Sequence, residues 1–174
     1  QQNLGKTISH SPVLDGPPIY VASQNGKVYA VNITDGQILW QTDTQSPIQG
    51  GLAVANNRLY LVNEAMFAIG LNTSDGKEFG RTKLVGQSFR RSWPVVSQGK
   101  VIFQTVQLPF VGSEYTMNGV ITGADGNFAN EQITVRNWLQ NEGWMYEDLF
   151  VLDALTLSKS FTVSNGAVGG VGHH

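Results

Sequence analysis

The sequence predicts an all-β fold assembled from repeated four-stranded antiparallel units, and three observations carry that expectation. Charged residues make up only 14% of the 174 positions against 41% hydrophobic and 20 glycines, a balance of short strands and tight turns rather than long solvated helices. The stretch from Ser11 to Trp40 lies over that from Gly51 to Gly80 without a gap, so that Tyr20 meets Tyr60, Asn32 meets Asn72, Asp35 meets Asp75 and Gly36 meets Gly76, each 40 positions on. Gly, Asn, Asp and Pro clusters interrupt the apolar runs at the intervals hairpins need.

The first unit resolves into strands over about 12–14, 19–23, 27–31 and 37–41, separated by "DGPP", "QNG" and "NITDG". Asn25-Gly26 is the strongest hairpin signal among these turns. In the second unit the pairs Val13/Ala53, Leu14/Val54, Ile19/Leu59, Val21/Leu61 and Val31/Leu71 keep their apolar character, with a strand expected over 59–63. A third unit opens at "SWPVVSQGKVIFQTV" and closes at "LFVLDALTLSKSFTV", with strands over 100–106 and 149–153. Four antiparallel strands in about 40 residues make one β-propeller blade, which cannot bury both faces alone and stacks on neighbours around an axis. Propellers typically close with 4–8 blades. The expected organisation is therefore a partial propeller: blade 1 over about 9–45, blade 2 over about 46–86, blade 3 over about 88–163, and the start of another over 164–174. Further blades, from the same chain or another subunit, are then partners.

Charge and composition narrow the function classes. A formal charge of -2 gives no electrostatic reason for a nucleic-acid or anionic-membrane partner, and no run is long enough to cross a bilayer. With no cysteine, disulfide frameworks and thiolate metal sites are excluded, while the compartment stays open. No catalytic or metal-binding motif stands out: Asp125-Gly126 lacks the other ligands of a calcium loop. The sequons at Asn32 and Asn72 fall where the repeat itself demands Asn or Asp for a turn.

The run Ala30-x-Asn32-x-x-Asp35-Gly36-x-x-x-Trp40 resembles the tryptophan-docking motif of pyrroloquinoline-quinone-like propeller repeats, usually Ala-x-Asp-x-x-Thr-Gly-x-x-x-Trp. The resemblance implies that the Trp40 indole is buried between the first two blades, against the small residue and glycine of the neighbouring motif. Asn72, Asp75 and Gly76 keep the turn in the second copy, where Gly80 stands at the tryptophan position. In the third, Asp153 and Thr156 remain and Phe161 replaces the tryptophan. Since Gly80 supplies no aromatic area, the seam after the second blade is expected to be the looser one.

Between strands two and three of the third unit lie 39 extra residues, an insertion over about 107–148 or a degenerate blade; the absence of a docking motif favours the insertion. It carries Trp138, Trp144 and Tyr146, either as loop anchors or as ligand contacts. His10, Arg90, Arg91 and His173 sit just before or within innermost strands, near the central funnel, where one guanidinium of the arginine pair could clamp a carboxylate, and Trp93 is a candidate aromatic floor for a flat ligand. His173 and His174 end the sequence given.

Two functions follow. The first is a non-catalytic scaffold or binding module, similar to the repeats of the bacterial outer-membrane assembly lipoprotein, that offers loops to a protein or small ligand and needs no cofactor. The alternative is part of a dehydrogenase in which pyrroloquinoline quinone and calcium oxidise an alcohol or sugar. The resemblance implies an extracytoplasmic location (periplasmic, cell-surface or secreted).

Overall fold

A computed structural model describes residues 4, 6–8, 10–84, 89, 92–105, 115–117, 120–122 and 148–163. These residues are all-β and form a partial propeller. The first sheet contains β1 (Val13–Leu14), β2 (Pro18–Ala22), β3 (Lys27–Asn32) and β4 (Ile38–Asp43), in that spatial order and antiparallel throughout. The second repeats it with β5 (Ala53–Ala55), β6 (Arg58–Val62), β7 (Phe67–Asn72) and β8 (Glu78–Lys83). The third takes β9 (Val95–Ser97) and β10 (Lys100–Gln104), then pairs β10 directly with β13 (Leu149–Asp153) and ends on β14 (Lys159–Val163). Between β10 and β13 in sequence, β11 (Tyr115–Met117) and β12 (Val120–Thr122) form a two-stranded sheet of their own.

Alternation along the strands explains why sheets stack. Leu59, Leu61, Ile69 and Leu71 of the second sheet join Tyr20, Val28, Ala30, Ile48 and Leu52 in one core. Tyr60, Val62 and Ala68, pointing the other way, join Val101, Phe103, Phe150, Leu152 and Leu157 in another. The second sheet is thus buried on both faces, and "LYLV" after Arg58 reads as an unbroken apolar run for that reason.

The turns differ in detail from the expectation. Asn25-Gly26 does not make a two-residue loop: the Gly26 amide donates to Ser23 O at 3.0 Å and Gly26 alone takes a positive φ of 85°, the three-residue hairpin with a left-handed third residue. Two-residue turns with both φ values positive occur instead at Asn56-Asn57 (52° and 60°) and Gln98-Gly99 (48° and 73°). The fourth strand begins at Ile38 rather than Gln37, whose carbonyl accepts from the Asn32 amide at 2.8 Å beside the tight turn. β10 ends at Gln104, two residues short of the expected span, and β6 runs over Arg58–Val62 rather than 59–63.

Candidate functional site

The polar residues of the repeat motif build its turn. In the first copy Asn32 Oδ1 accepts from the Thr34 amide at 2.8 Å, Asp35 Oδ1 from Gln37 at 2.9 Å, and the Gly36 amide closes onto Asn32 O at 2.8 Å. The second copy repeats this with Asp75 onto Lys77 and Gly76 onto Asn72. In the third, Asp153 Oδ1 takes the Leu155 and Thr156 amides, and Leu157 stands at the glycine position with φ 56°. These bonds hold the Asp75 and Asp153 carboxyls below their ordinary range, through the Lys77 amide in one case and the Leu155 and Thr156 amides in the other.

Trp40 lies on the rim of the first seam. Its indole Nε1 donates to Thr73 O at 2.9 Å, and its ring covers Gly76 so closely that a Cβ there would stand 2.4 Å from Cε3. Tyr20 packs beside it with centroids 5.8 Å apart, and Thr42 Oγ1 donates to Gly76 O at 2.6 Å. The indole is half-buried rather than enclosed, because β4 is the outermost strand of its sheet. Ala30, across the ladder from Trp40, is fully buried beneath it.

The second seam departs from the expectation of looseness. Leu157 is fully buried and fills the space over Gly80, its Cδ1 3.4 Å from where a Cβ would project. The large and small partners of the first seam are exchanged: Trp40 over Gly76 becomes Gly80 under Leu157. Phe79 occupies the room above Gly70, and Arg58, 4.4 Å over the Phe79 ring, donates to Ala154 O at 3.1 Å and Leu155 O at 2.7 Å. Ala154 is the repeat counterpart of Thr73, so a guanidinium here does what the indole N–H does one seam earlier. Tyr60 OH adds a bond to Ala154 O at 2.8 Å and Thr82 Oγ1 one to Leu157 O at 2.6 Å. Repeat alignment signals Leu157 by its offset from Gly36, whereas nothing in composition points to Arg58.

At the innermost strands the structure brings two predicted residues together. His10 precedes β1 and Trp93 precedes β9; their rings meet edge to face with centroids 5.0 Å apart, and His10 Nε2 lies 2.5 Å from Gln49 O. Trp93 rests on Gly51, where a Cβ would stand 1.9 Å from the ring, so only glycine fits below it. The Gly51 amide bonds Ser92 O at 2.8 Å and fixes the approach. Three consecutive units thus contribute to one aromatic cluster whose tryptophan remains 54% exposed. Arg90, Arg91, Trp138, Trp144, Tyr146, His173 and His174 lie outside the described residues. Phe161, at the tryptophan position of the third unit, is 56% exposed on β14.

Comparison with known proteins places this geometry. The family model described as outer membrane protein assembly factor BamB matches residues 1–79 and 24–129. The protein of that name from Salmonella typhimurium is 33% identical over 98 residues, covering 51% of this chain and 24% of its own length. The chain thus spans about a quarter of that relative. The crystal structure of BamB from Moraxella catarrhalis superposes with a TM-score of 0.58 at 14% identity, over 92% of this chain and 38% of that one. A quinohemoprotein alcohol dehydrogenase from Pseudomonas putida HK5 superposes with a TM-score of 0.63 at 15% identity, over 93% of this chain and 21% of that one, a likeness of fold alone. By its matched repeats the chain belongs to the family of the outer membrane protein assembly factor BamB.

Proposed function

We propose that this protein is a non-catalytic propeller scaffold that binds a protein partner in an extracytoplasmic compartment through the end carrying His10 and Trp93. The observation that carries the reading is the Trp93 ring, seated on Gly51, braced by His10 and still 54% exposed. A large aromatic seated between fixed neighbours and still half exposed loses little conformational freedom on binding and suits an interface anchor. The relatives' printed role in outer-membrane protein assembly supports a protein partner and a location outside the inner membrane. The docking motifs serve, in this reading, as clasps that hold the blades and so the cluster in register.

A quinone-dependent dehydrogenase is the alternative, and the described residues do not fit its needs. One face of Trp93 is taken by Gly51, and among the described residues no three His, Asp or Glu side chains come together to hold calcium. Two measurements decide. A photo-crosslinking amino acid at position 93, in envelope extract, should give a discrete protein adduct that the same probe at the exposed Lys77 does not. Equal labelling from both positions would sink the anchor. Titration with the quinone and calcium should give neither saturable binding nor dye-linked alcohol oxidation; turnover would install the dehydrogenase.

A further inference from the structure

The connection leading into the first sheet is held by Asn25, the residue before Gly26. Asn25 Nδ2 donates to Leu4 O at 2.9 Å and to the Tyr29 hydroxyl oxygen at 2.8 Å, and that hydroxyl donates in turn to Leu4 O at 3.1 Å. Ser23 Oγ reaches Lys6 O at 3.3 Å, and the Gln24 amide bonds Thr7 O at 3.0 Å. In the second unit the counterpart of Leu4 is Thr44, whose carbonyl is held by Asn63 Nδ2 at 3.0 Å, from the position where the first unit has Ser23. Ala65 stands there at the place of Asn25, so the turn itself does not demand an asparagine. The first unit instead places its holding amide on a residue followed by glycine, whose nitrogen no Cβ screens.

We propose that Asn25 is a modification site, a one-way latch on this connection whose side-chain amide hydrolyses once residues 4–7 lift away. While they are seated, both reacting groups are engaged. Nδ2 is held as above, Oδ1 accepts from the Lys27 amide at 2.9 Å, and the Gly26 amide bonds Ser23 O at 3.0 Å. When Leu4 O leaves, the Asn25 side chain is free to turn onto the amide that follows it. The Gly26 nitrogen then bonds to Asn25 Cγ and gives up its proton, and Nδ2 departs with that proton as ammonia. Water opens the cyclic imide at either carbonyl, leaving an aspartyl or isoaspartyl residue, with no oxidant and no enzyme involved. A carboxylate accepts hydrogen bonds and does not donate them. It meets Leu4 O acceptor to acceptor and draws the Tyr29 hydroxyl to itself, so Leu4 O loses both donors and the connection does not reseat. The proposal goes beyond the scaffold reading and does not depend on it.

Trypsin cleavage after Lys6 and Lys27 releases residues 7–27, in which Asn25 is the only asparagine, so amide loss at this position is read by mass in one peptide. In the 174-residue chain held in mildly alkaline buffer, conversion should be slower by about tenfold or more when folded than in urea. Tyr29→Phe removes one donor from Leu4 O and should speed conversion of the folded chain about fivefold. Brief trypsin treatment of folded protein reads the latch itself. Asn25→Asp should be cut after Lys6 about tenfold faster than the parent chain, with cleavage after Lys100 in β10 unchanged. No conversion in the folded chain, or equal rates folded and in urea, overturns the modification site. An unchanged rate in Tyr29→Phe overturns the role given to the Leu4 contacts. Parental cleavage of Asn25→Asp after Lys6 overturns the latch, as does equal acceleration after Lys6 and Lys100, which is general unfolding.

Discussion

Two glycines in the same conformation separate steric fit from backbone strain. Gly36 and Gly76 have φ values of 74° and 69°, so a Cβ strains both turns alike. Only Gly76 lies under the Trp40 ring, and nothing approaches Gly36 within 4 Å. Gly36→Ala should therefore cost about 1 kcal/mol, and Gly76→Ala about 2–4 kcal/mol once the indole is displaced. Urea melts of the two variants measure the difference, and equal costs would mean that the ring contact contributes nothing. Trp40→Ala should cost about 2–4 kcal/mol, less than a fully enclosed tryptophan, since the indole is only half-buried. Residue identity alone would have placed Trp40 inside a seam; its strand position, outermost in the sheet, sets how much of it is covered.

Each seam is a matched pair of elements, an outer strand facing a turn, and the matching survives exchange of its members. At the second seam Leu157 holds a left-handed φ of 56° while fully buried, a conformation that glycine adopts in the other two copies. Leu157→Gly relieves that strain by about 1 kcal/mol but empties the space over Gly80, so net destabilisation of about 2–3 kcal/mol is expected from denaturant titration. A gain in stability would show that the strain outweighs the packing. The strands were legible in the sequence because the 40-residue offset and the alternation repeat without a gap, and Asp153 announced the third turn. The filling of the second seam was not legible. Gly80 reads as a loss when scanned along its own strand, and its compensation sits 77 residues away at Leu157 and in the preceding strands at Arg58, joined only by the fold. Met66, in the left-handed conformation at 59°, likewise stands where Gly26 stands one repeat earlier, and only superposing the repeats reveals it. At the axial end, the position of His10 ahead of an innermost strand was readable and Trp93 stood out as a candidate ligand contact, but their meeting over Gly51 required the third dimension.

Across the whole molecule the seams impose a pH range on stability. Burial pushes the Tyr20 and Tyr60 hydroxyls above their ordinary value, more strongly than the opposing contributions of Thr73 and of Arg58 pull them down. Above about pH 10 the unfolded chain releases these protons while the folded chain keeps them, so stability present below that pH is lost as pH rises towards the folded values. On the acid side Asp75 and Asp153 have lowered values, so the stability they contribute is present above about pH 4 and lost as pH falls through the folded values. The urea midpoint should thus hold a plateau near neutrality and decline at both ends. Tyr60→Phe separates the alkaline arm from general base denaturation. The variant loses the 2.8 Å bond to Ala154 O and about 1 kcal/mol at pH 7, yet its decline between about pH 10 and 11 should be shallower than that of the parent chain, because one fewer buried hydroxyl must stay protonated. Parallel slopes for the two proteins would mean that the Tyr60 hydroxyl titrates alike in both states, and that the second seam opens to water more readily than its packing indicates.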